Sequence, residues 1–99
     1  MIAAMTTLTG PNPELADVAR MARDEIEDWL RGYDGFRGLI ILTDQDGGRA
    51  RVITLWEDAE AEASTRQARG TMREKVADVA GMQSGAMELY EVPVCQVMT

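Results

Sequence analysis

Apolar and polar residues recur along the first third of the chain with two different periods, and each period predicts one type of element. From Ile2 to Leu8 every second residue is apolar or threonine, which indicates a short strand. Between residues 13 and 31 apolar residues recur at intervals of three and four, which predicts an amphipathic helix. Asn12 is placed to cap this helix and Pro13 to occupy its first position, where a missing N–H costs nothing. Gly32 is expected to end it in the left-handed conformation.

Two strands joined by a tight turn follow the first helix. Residues 36–43 and 49–56 are rich in isoleucine, leucine, valine and threonine, as strands are. Asp46-Gly47 between them is a strong signal for a two-residue hairpin loop. A loop at this place pairs Ile40 with Ile53 and thereby fixes which residues share a face of the sheet.

The second half of the chain predicts a long helix and a last strand. Asp58 is placed to cap a helix that is rich in alanine, bends at Gly70 and ends at Gly81. Residues 86–97 predict the last strand, with Pro93 tolerated only at an edge or a bulge. The order strand, helix, strand, strand, helix, strand is that of the α+β, ferredoxin-like βαββαβ fold, in which both helices cover one face of a four-stranded antiparallel sheet.

The predicted hairpin is apolar on both of its faces. The face assigned to the helices carries Leu39, Ile41, Thr43, Ala50, Val52, Thr54 and Trp56. The opposite face carries Phe36, Ile40, Leu42, Ile53 and Leu55. Leaving five large apolar side chains in water forfeits about 1.5–3 kcal/mol each, a total comparable to the 5–15 kcal/mol of net stability of a whole domain. We therefore expect this second face to be a homodimer interface; the alternative is that a loop or the C-terminal tail folds over it.

Composition limits the chemistry. The 99 residues form a single expected domain, 1–99, with 45% hydrophobic and 27% charged residues, as in ordinary globular proteins. The chain has no histidine, so the commonest general base and metal ligand is absent. Cys95 is the single cysteine, which excludes an internal disulfide and a cysteine-cluster metal site. We expect no metal and no cofactor, and a buried Cys95.

The charge of the chain limits its partners. The formal net charge is −7, and the ten basic residues form no stripe. Such a surface repels phosphate backbones and anionic lipids, so neither nucleic acid nor a membrane is an expected partner. No signal peptide or membrane-spanning run is visible, and with the lone thiol this favours a cytoplasmic protein. The abundance of arginine over lysine is typical of a GC-rich bacterial genome.

Several segments resemble the dimeric α/β-barrel superfamily, and within it the antibiotic biosynthesis monooxygenase (ABM) type of domain. They are Tyr33-Asp34-Gly35-Phe36, Val52-Ile53-Thr54-Leu55-Trp56-Glu57-Asp58 with the alanine-rich helix after it, and Leu89-Tyr90-Glu91-Val92. The family usually has proline where Asp34 stands. The resemblance implies two ferredoxin-like subunits packed sheet to sheet into a barrel. It also implies a ligand cavity inside each subunit, between sheet and helices.

The resemblance suggests which residues border this cavity. Trp56 lies on the strand face assigned to the helices, although a tryptophan at the end of a strand is more often part of the core. The polar candidates are Thr54, Tyr33, Tyr90 and Arg66, although residues of these types are more often simply surface or rim residues. Met72 is a candidate for an adaptable wall, and Trp29 is expected in the core.

The resemblance also implies two alternative functions. The haem-degrading branch of the superfamily needs a histidine on the second helix where this chain has Thr65 and Arg66, so that chemistry is excluded. The metal-free branch oxidises phenolic ligands without a cofactor, because the substrate's own enolate supplies the electrons to dioxygen. The first hypothesis is therefore a homodimer that binds a small apolar or aromatic ligand and acts as a cofactor-independent monooxygenase. The alternative is a non-catalytic ligand-binding or interaction protein on the same scaffold; no residue is assigned as catalytic.

Overall fold

The predicted order of elements is present in the structure, a computed structural model that describes residues 1–11 and 14–98. The elements are β1 (Ile2–Thr9), α1 (Leu15–Arg31), β2 (Phe36–Asp44), β3 (Arg49–Trp56), α2 (Ala59–Ala80), β4 (Gln83–Ser84) and β5 (Glu88–Glu91). They form an antiparallel sheet in the order β2-β3-β1-β4, and β5 pairs with β1 beside β4. This confirms the ferredoxin-like α+β class.

The hairpin has the predicted register over most of its length. Ile40 faces Ile53 across β2 and β3, and the N–H of Gly48 donates to the carbonyl of Gln45 at 3.3 Å across the Asp46-Gly47 loop. The side chain of Asp44 strengthens the turn, because its carboxylate accepts from the Gly47 N–H at 3.0 Å and pairs with Arg49 at 3.0 Å. These bonds, first the one from Gly47 and then the one from Arg49, hold the pKa of Asp44 below its ordinary value.

A bulge at the start of β2 corrects one face assignment. The pairing shifts between Phe36 and Gly38, so that Phe36 faces Trp56 instead of continuing the register of the hairpin. One inserted residue moves a side chain to the other face of a sheet. Phe36 therefore packs on the helix side against Trp56, with ring centroids 5.6 Å apart, and the prediction that it lies on the uncovered face is wrong.

The ends of α1 depend on residues far away in the chain. The backbone N–H of Leu15 donates to the side chain of Gln45 in the hairpin loop at 3.0 Å, so a distant glutamine satisfies a free donor of the first turn. The predicted capping residues Asn12 and Pro13 lie outside the described residues. Gly32 has φ −71° and ψ −11°, so the predicted left-handed end is wrong. In the loop between α1 and β2, Gly35 is the residue with a positive φ, at +85°.

The second helix begins and ends as predicted. The carboxylate of Asp58 accepts from the Ala61 N–H at 2.8 Å, and Gly81 closes the helix with φ +69°. Gly70 lies inside a helix that is continuous over Ala59–Ala80.

The last strand is shorter than predicted and is broken in two. β4 and β5 flank Gly85, whose N–H donates to the carbonyl of Thr7 at 2.8 Å. The last bond between this segment and β1 comes from the Val92 N–H, which donates to the Met1 carbonyl at 3.0 Å, and β5 itself covers only Glu88–Glu91. The prediction of one strand over 86–97 is therefore wrong. Cys95 lies beyond this end and is exposed rather than buried.

Two groups of buried side chains lie between the sheet and the helices. The first consists of Leu8, Leu15, Ala77, Ala80 and Met82; the second consists of Ile26, Leu30 and Trp56. Neither described helix has an apolar stretch long enough to cross a membrane.

The opposite side of the sheet carries exposed apolar side chains, which we call the open face. Ile40, Leu42 and Tyr90 are exposed there, and Ile53 is half-buried. Leu55 lies on the same side but keeps only 9% of its surface accessible, since it packs over Gly38. The open face is thus apolar, as predicted, but without Phe36 and with little contribution from Leu55.

Candidate functional site

A partly enclosed cavity of about 60 Å³ lies between the sheet and the two helices. Its walls are Ala4, Thr6, Leu8, Val52 and Thr54 from the sheet, Ala22, Ile26, Trp29 and Leu30 from α1, and Arg69, Met72, Arg73 and Val76 from α2. Most of this lining is hydrocarbon. The polar atoms come from two threonines, two arginines and the indole of Trp29.

Trp56 supports the cavity from behind but does not line it. Its side chain is fully buried, and its indole Nε1–H donates to the hydroxyl of Thr54 at 2.9 Å. The guanidinium of Arg69 lies over its ring, with the central carbon 4.9 Å from the ring centroid, a cation–π contact. Trp56 therefore holds two polar residues of the cavity wall in place, Thr54 on β3 and Arg69 on α2.

Arg69 is buried, and all three nitrogens of its guanidinium donate hydrogen bonds. Its Nε donates to the Thr65 hydroxyl at 2.9 Å, and its Nη1 donates to the Thr54 hydroxyl at 3.4 Å. Its Nη2 donates to the carbonyl of Glu62 at 2.9 Å and also to the Glu62 carboxylate. Burial lowers the pKa of Arg69, although the bond to Glu62 opposes this shift. The charge of Arg69 is therefore compensated inside the protein.

Glu62 supplies that compensation from the first turns of α2. Its side chain is 1% exposed, and its carboxylate accepts from Arg66 and Arg69. The hydrogen bond from Arg66 and then that from Arg69 lower the pKa of Glu62, against the opposing effect of burial. The hydrogen bond between Arg66 and Glu62 also raises the pKa of Arg66. Glu62 is thus a buried carboxylate that stays ionised and holds Arg69 in place.

Arg73, one turn after Arg69, has a different environment. Its Nη1 donates to the Thr6 hydroxyl at 3.2 Å across the cavity wall, and it forms no ion pair with any residue of the described part of the chain. Its Nε is buried and has no hydrogen-bond partner there. A buried donor without a partner costs about 1–3 kcal/mol, so a cavity ligand that accepts from this N–H would recover that cost.

The cavity therefore offers hydrogen-bond donors and positive charge. Among its described wall residues there is no carboxylate, and the Arg73 charge has no counterion. Within residues 1–11 and 14–98 there is also no group of three or more histidine, cysteine, aspartate or glutamate side chains placed to hold a metal ion. The arrangement is suited to an apolar ligand that carries an oxygen acceptor or an anionic oxygen.

The structure brings together only some of the candidates named from the sequence. Thr54 and Met72 line the cavity, and Trp56 lies directly behind Thr54. Tyr33 packs edge-on against Trp29, outside the cavity wall. Tyr90 lies on the open face, and Arg66 is half-exposed with its guanidinium bonded to Glu62.

Three residues that line the cavity were not predicted to do so from the sequence. Trp29 packs against the core, as expected, and also lines the cavity, whereas Arg69 and Arg73 were not named as candidates. One signal was available: Glu62, Thr65, Arg69 and Arg73 follow one another at intervals of three, four and four, which places them on one face of α2. A polar stripe on the buried side of a helix indicates a buried network.

Comparison by sequence finds distant relatives. No family model matches the chain. The uncharacterized proteins Rv2557 and MT2634, from two strains of Mycobacterium tuberculosis, are each 33% identical to it over 70 residues. The match covers 71% of this chain and 31% of each relative, so the chain spans about a third of the length of the curated relatives it matches.

Comparison by structure finds matches over the whole chain. A candidate antibiotic biosynthesis monooxygenase from Deinococcus radiodurans has a TM-score of 0.70 at 18% identity, covering 100% of this chain and 99% of that one. The ActVA-Orf6 monooxygenase of Streptomyces coelicolor, solved with nanaomycin D, has a TM-score of 0.68 at 20% identity, covering 99% and 91%. SnoaB, a cofactor-independent oxygenase from Streptomyces nogalater, has a TM-score of 0.68 at 13% identity, covering 95% and 94%. The chain therefore shares the ferredoxin-like fold of these monooxygenase structures, the fold that the resemblance in its sequence implied.

Proposed function

We propose that the cavity between sheet and helices binds a small aromatic ligand with an acidic or carbonyl oxygen, and that the protein oxidises this ligand without a cofactor. The observation that carries the proposal is the buried Nε of Arg73, which has no hydrogen-bond partner in the described part of the chain and lies in a mostly apolar wall. Apolar walls with a few polar groups in defined positions are typical of small-molecule sites. The fold shared with a cofactor-independent oxygenase supports the choice of reaction.

The charge balance of the wall favours an anionic form of the ligand. Glu62 neutralises Arg69, whereas Arg73 has no carboxylate partner in the described part of the chain. A phenolate or enolate oxygen beside Arg73 would form a charge-assisted hydrogen bond, and stabilising this anion raises the fraction of ligand able to transfer electrons to dioxygen. The protein then supplies shape, exclusion of water and donors rather than a redox centre.

The small size of the cavity favours the non-catalytic alternative. Its volume is about 60 Å³, whereas an apolar protein cavity of about 150 Å³ holds benzene. A ring system therefore enters only if side chains of the wall move. Met72 is suited to such movement because its unbranched side chain has several accessible rotamers.

Oxygen uptake separates the two functions. Anthrone is a suitable test substrate, since oxidation of its ring methylene to a carbonyl consumes one dioxygen and releases one water. We expect uptake above the buffer rate and formation of anthraquinone in equal amount. Binding of anthrone without uptake would instead support the non-catalytic alternative, and absence of both across a panel of phenols would contradict the proposal.

Replacing Arg73 with methionine is expected to weaken binding of 2-naphthoate by roughly tenfold to a hundredfold, since a charge-assisted hydrogen bond is lost. Naphthalene, which has no anionic group, should bind both proteins equally. Isothermal titration of the two compounds measures the difference. The control is Lys75→Met, which removes one positive charge from the exposed side of the same helix and should leave both affinities unchanged. Equal loss for the two compounds would show that Arg73 acts only on packing.

We also propose that the open face joins two copies of the chain into a homodimer, because exposed apolar side chains of this size are unfavourable in water. Leu42→Asp is expected to produce monomers with an unchanged circular dichroism spectrum, since Leu42 is 50% exposed within one chain. Leu55→Asp is a poor probe, because Leu55 is nearly buried and its replacement damages the protomer itself. Sedimentation velocity measures the change, with Val79→Asp on the outer surface of α2 as control. An oligomeric state unaffected by Leu42→Asp would contradict the interface.

A further inference from the structure

We infer that Thr54 is a specificity-determining residue whose hydroxyl is fixed as a hydrogen-bond donor toward the cavity, so that the site selects ligands with an oxygen acceptor over hydrocarbons of the same shape. The inference rests on the proposed function and adds a group that recognises a ligand oxygen whether or not it is charged. It depends on the contacts of one side chain near the end of β3.

A threonine hydroxyl has one hydrogen to donate and two lone pairs that accept. In Thr54 both lone pairs are used: the Trp56 Nε1–H donates at 2.9 Å and the Arg69 Nη1–H donates at 3.4 Å. Indole and guanidinium groups are donors only, so neither neighbour can accept the hydroxyl hydrogen. In the described part of the chain this hydrogen has no acceptor.

The hydroxyl is also unable to turn away to solvent. Thr54 is 7% exposed, its indole partner is fully buried, and its side chain forms part of the cavity wall. Because two donors occupy the other directions around the oxygen, the hydrogen is left to point into the cavity. The hydroxyl of Thr6, the second threonine of the wall, differs because among the described residues it accepts from one donor alone, the Arg73 Nη1–H at 3.2 Å.

The chemical consequence is selection by polarity rather than by size. A ligand that places a carbonyl, phenolate or carboxylate oxygen near Thr54 satisfies a buried donor, whereas a hydrocarbon leaves it unpaired. Sites that hydrogen-bond a ligand group discriminate strongly against the analogue that lacks the group, because the buried polar atom then has no partner.

The test compares two probes that differ by one oxygen. Acetophenone is neutral and has a carbonyl acceptor; ethylbenzene has the same ring and chain length without it. We expect wild-type protein to bind acetophenone more tightly, and Thr54→Val to lower that preference roughly tenfold. Thr54→Ser, which keeps the hydroxyl, should retain the preference. Titrations followed through the indole N–H resonances of Trp29 and Trp56 give both affinities, and ethylbenzene controls for any change in cavity shape.

A measurement that keeps Thr54 covers the case in which Thr54→Val fails to fold. Acetophenone labelled with carbon-13 at the carbonyl is bound to Arg73→Met, which lacks the other unpaired donor of the wall. Its resonance should then lie downfield of its position in hydrocarbon solvent, as for hydrogen-bonded carbonyls. A bound resonance at the hydrocarbon position, or a preference that survives Thr54→Val, would overturn the role of Thr54 while leaving the cavity as a binding site. If neither probe binds, the proposed ligand-binding function fails and the role of Thr54 fails with it.

Discussion

Trp56→Ala is expected to lower the free energy of unfolding by about 3–5 kcal/mol, the range for removing a large aromatic side chain from a core. The indole is fully buried and contacts Phe36 and Arg69. Its removal also leaves the Thr54 hydroxyl without its shortest bond. Since small domains have about 5–15 kcal/mol of net stability, the variant should lie close to the unfolding threshold. Urea unfolding monitored by circular dichroism measures the change.

Trp56→Phe is the matched control. Phenylalanine keeps a ring against Phe36 and under Arg69 but cannot donate to Thr54, so we expect a loss of about 1–2 kcal/mol. If the alanine and phenylalanine variants lose the same stability, the indole hydrogen bond rather than packing dominates. A loss below about 1 kcal/mol for alanine would contradict the placement of Trp56 in the core.

Glu62→Ala is expected to cost about 3–5 kcal/mol, because removing one partner of a buried ion pair leaves the other charge uncompensated. Here the remaining charge is the buried guanidinium of Arg69, which is 8% exposed. Glu60→Ala is the control, since Glu60 lies in the same first turn but is exposed and should cost less than about 1 kcal/mol. Thermal unfolding at neutral pH compares the two variants, and equal losses would contradict the buried network.

The lowered pKa of Glu62 adds a pH dependence to this prediction. The folded protein holds the carboxyl ionised below its ordinary pKa of 4.5, so as the pH falls the unfolded chain takes up this proton first. The stabilising contribution is therefore complete above pH 4.5 and declines as the pH drops through the pKa of the folded state. Urea unfolding between pH 7 and pH 3 should show this decline in the wild type and a shallower one in Glu62→Ala. Asp44, whose pKa is also lowered, contributes to the decline in both.

The sequence was sufficient to predict elements whose signals are local. The Asp46-Gly47 turn defined the hairpin register, and Asp58 and Gly81 marked the ends of α2, because turns and caps depend on neighbouring residues. The bulge beside Phe36 was not predicted: it accompanies a contact between Phe36 and Trp56, which lie far apart in the chain and leave no local pattern. The bond from Gln45 to the start of α1 joins residues 30 positions apart and leaves no local pattern.

The candidate site was predicted less completely than the fold, for a physical reason. Thr54 was identified because strand alternation places every second residue on the helix side. Charged residues on a helix such as α2 are usually exposed to solvent. For this reason Glu62 and Arg69 were not predicted to be buried. Burying Glu62 and Arg69 is favourable only because they bond to each other and Arg69 also bonds to Thr65. No single residue in the sequence indicates such a network.

The central position of β1 has a consequence for how the chain folds. β1 pairs with β3 on one side and with β4 and β5 on the other. β3 follows β1 in the chain only after α1 and β2, and β4 and β5 follow only after α2 as well. During synthesis the β2–β3 hairpin can close as soon as β3 is made, whereas β1 stays without its strand partners until β3, β4 and β5 have been made. High contact order of this kind slows folding and exposes strand edges to association. A destabilised variant of this protein should therefore aggregate through β1 before it loses the hairpin.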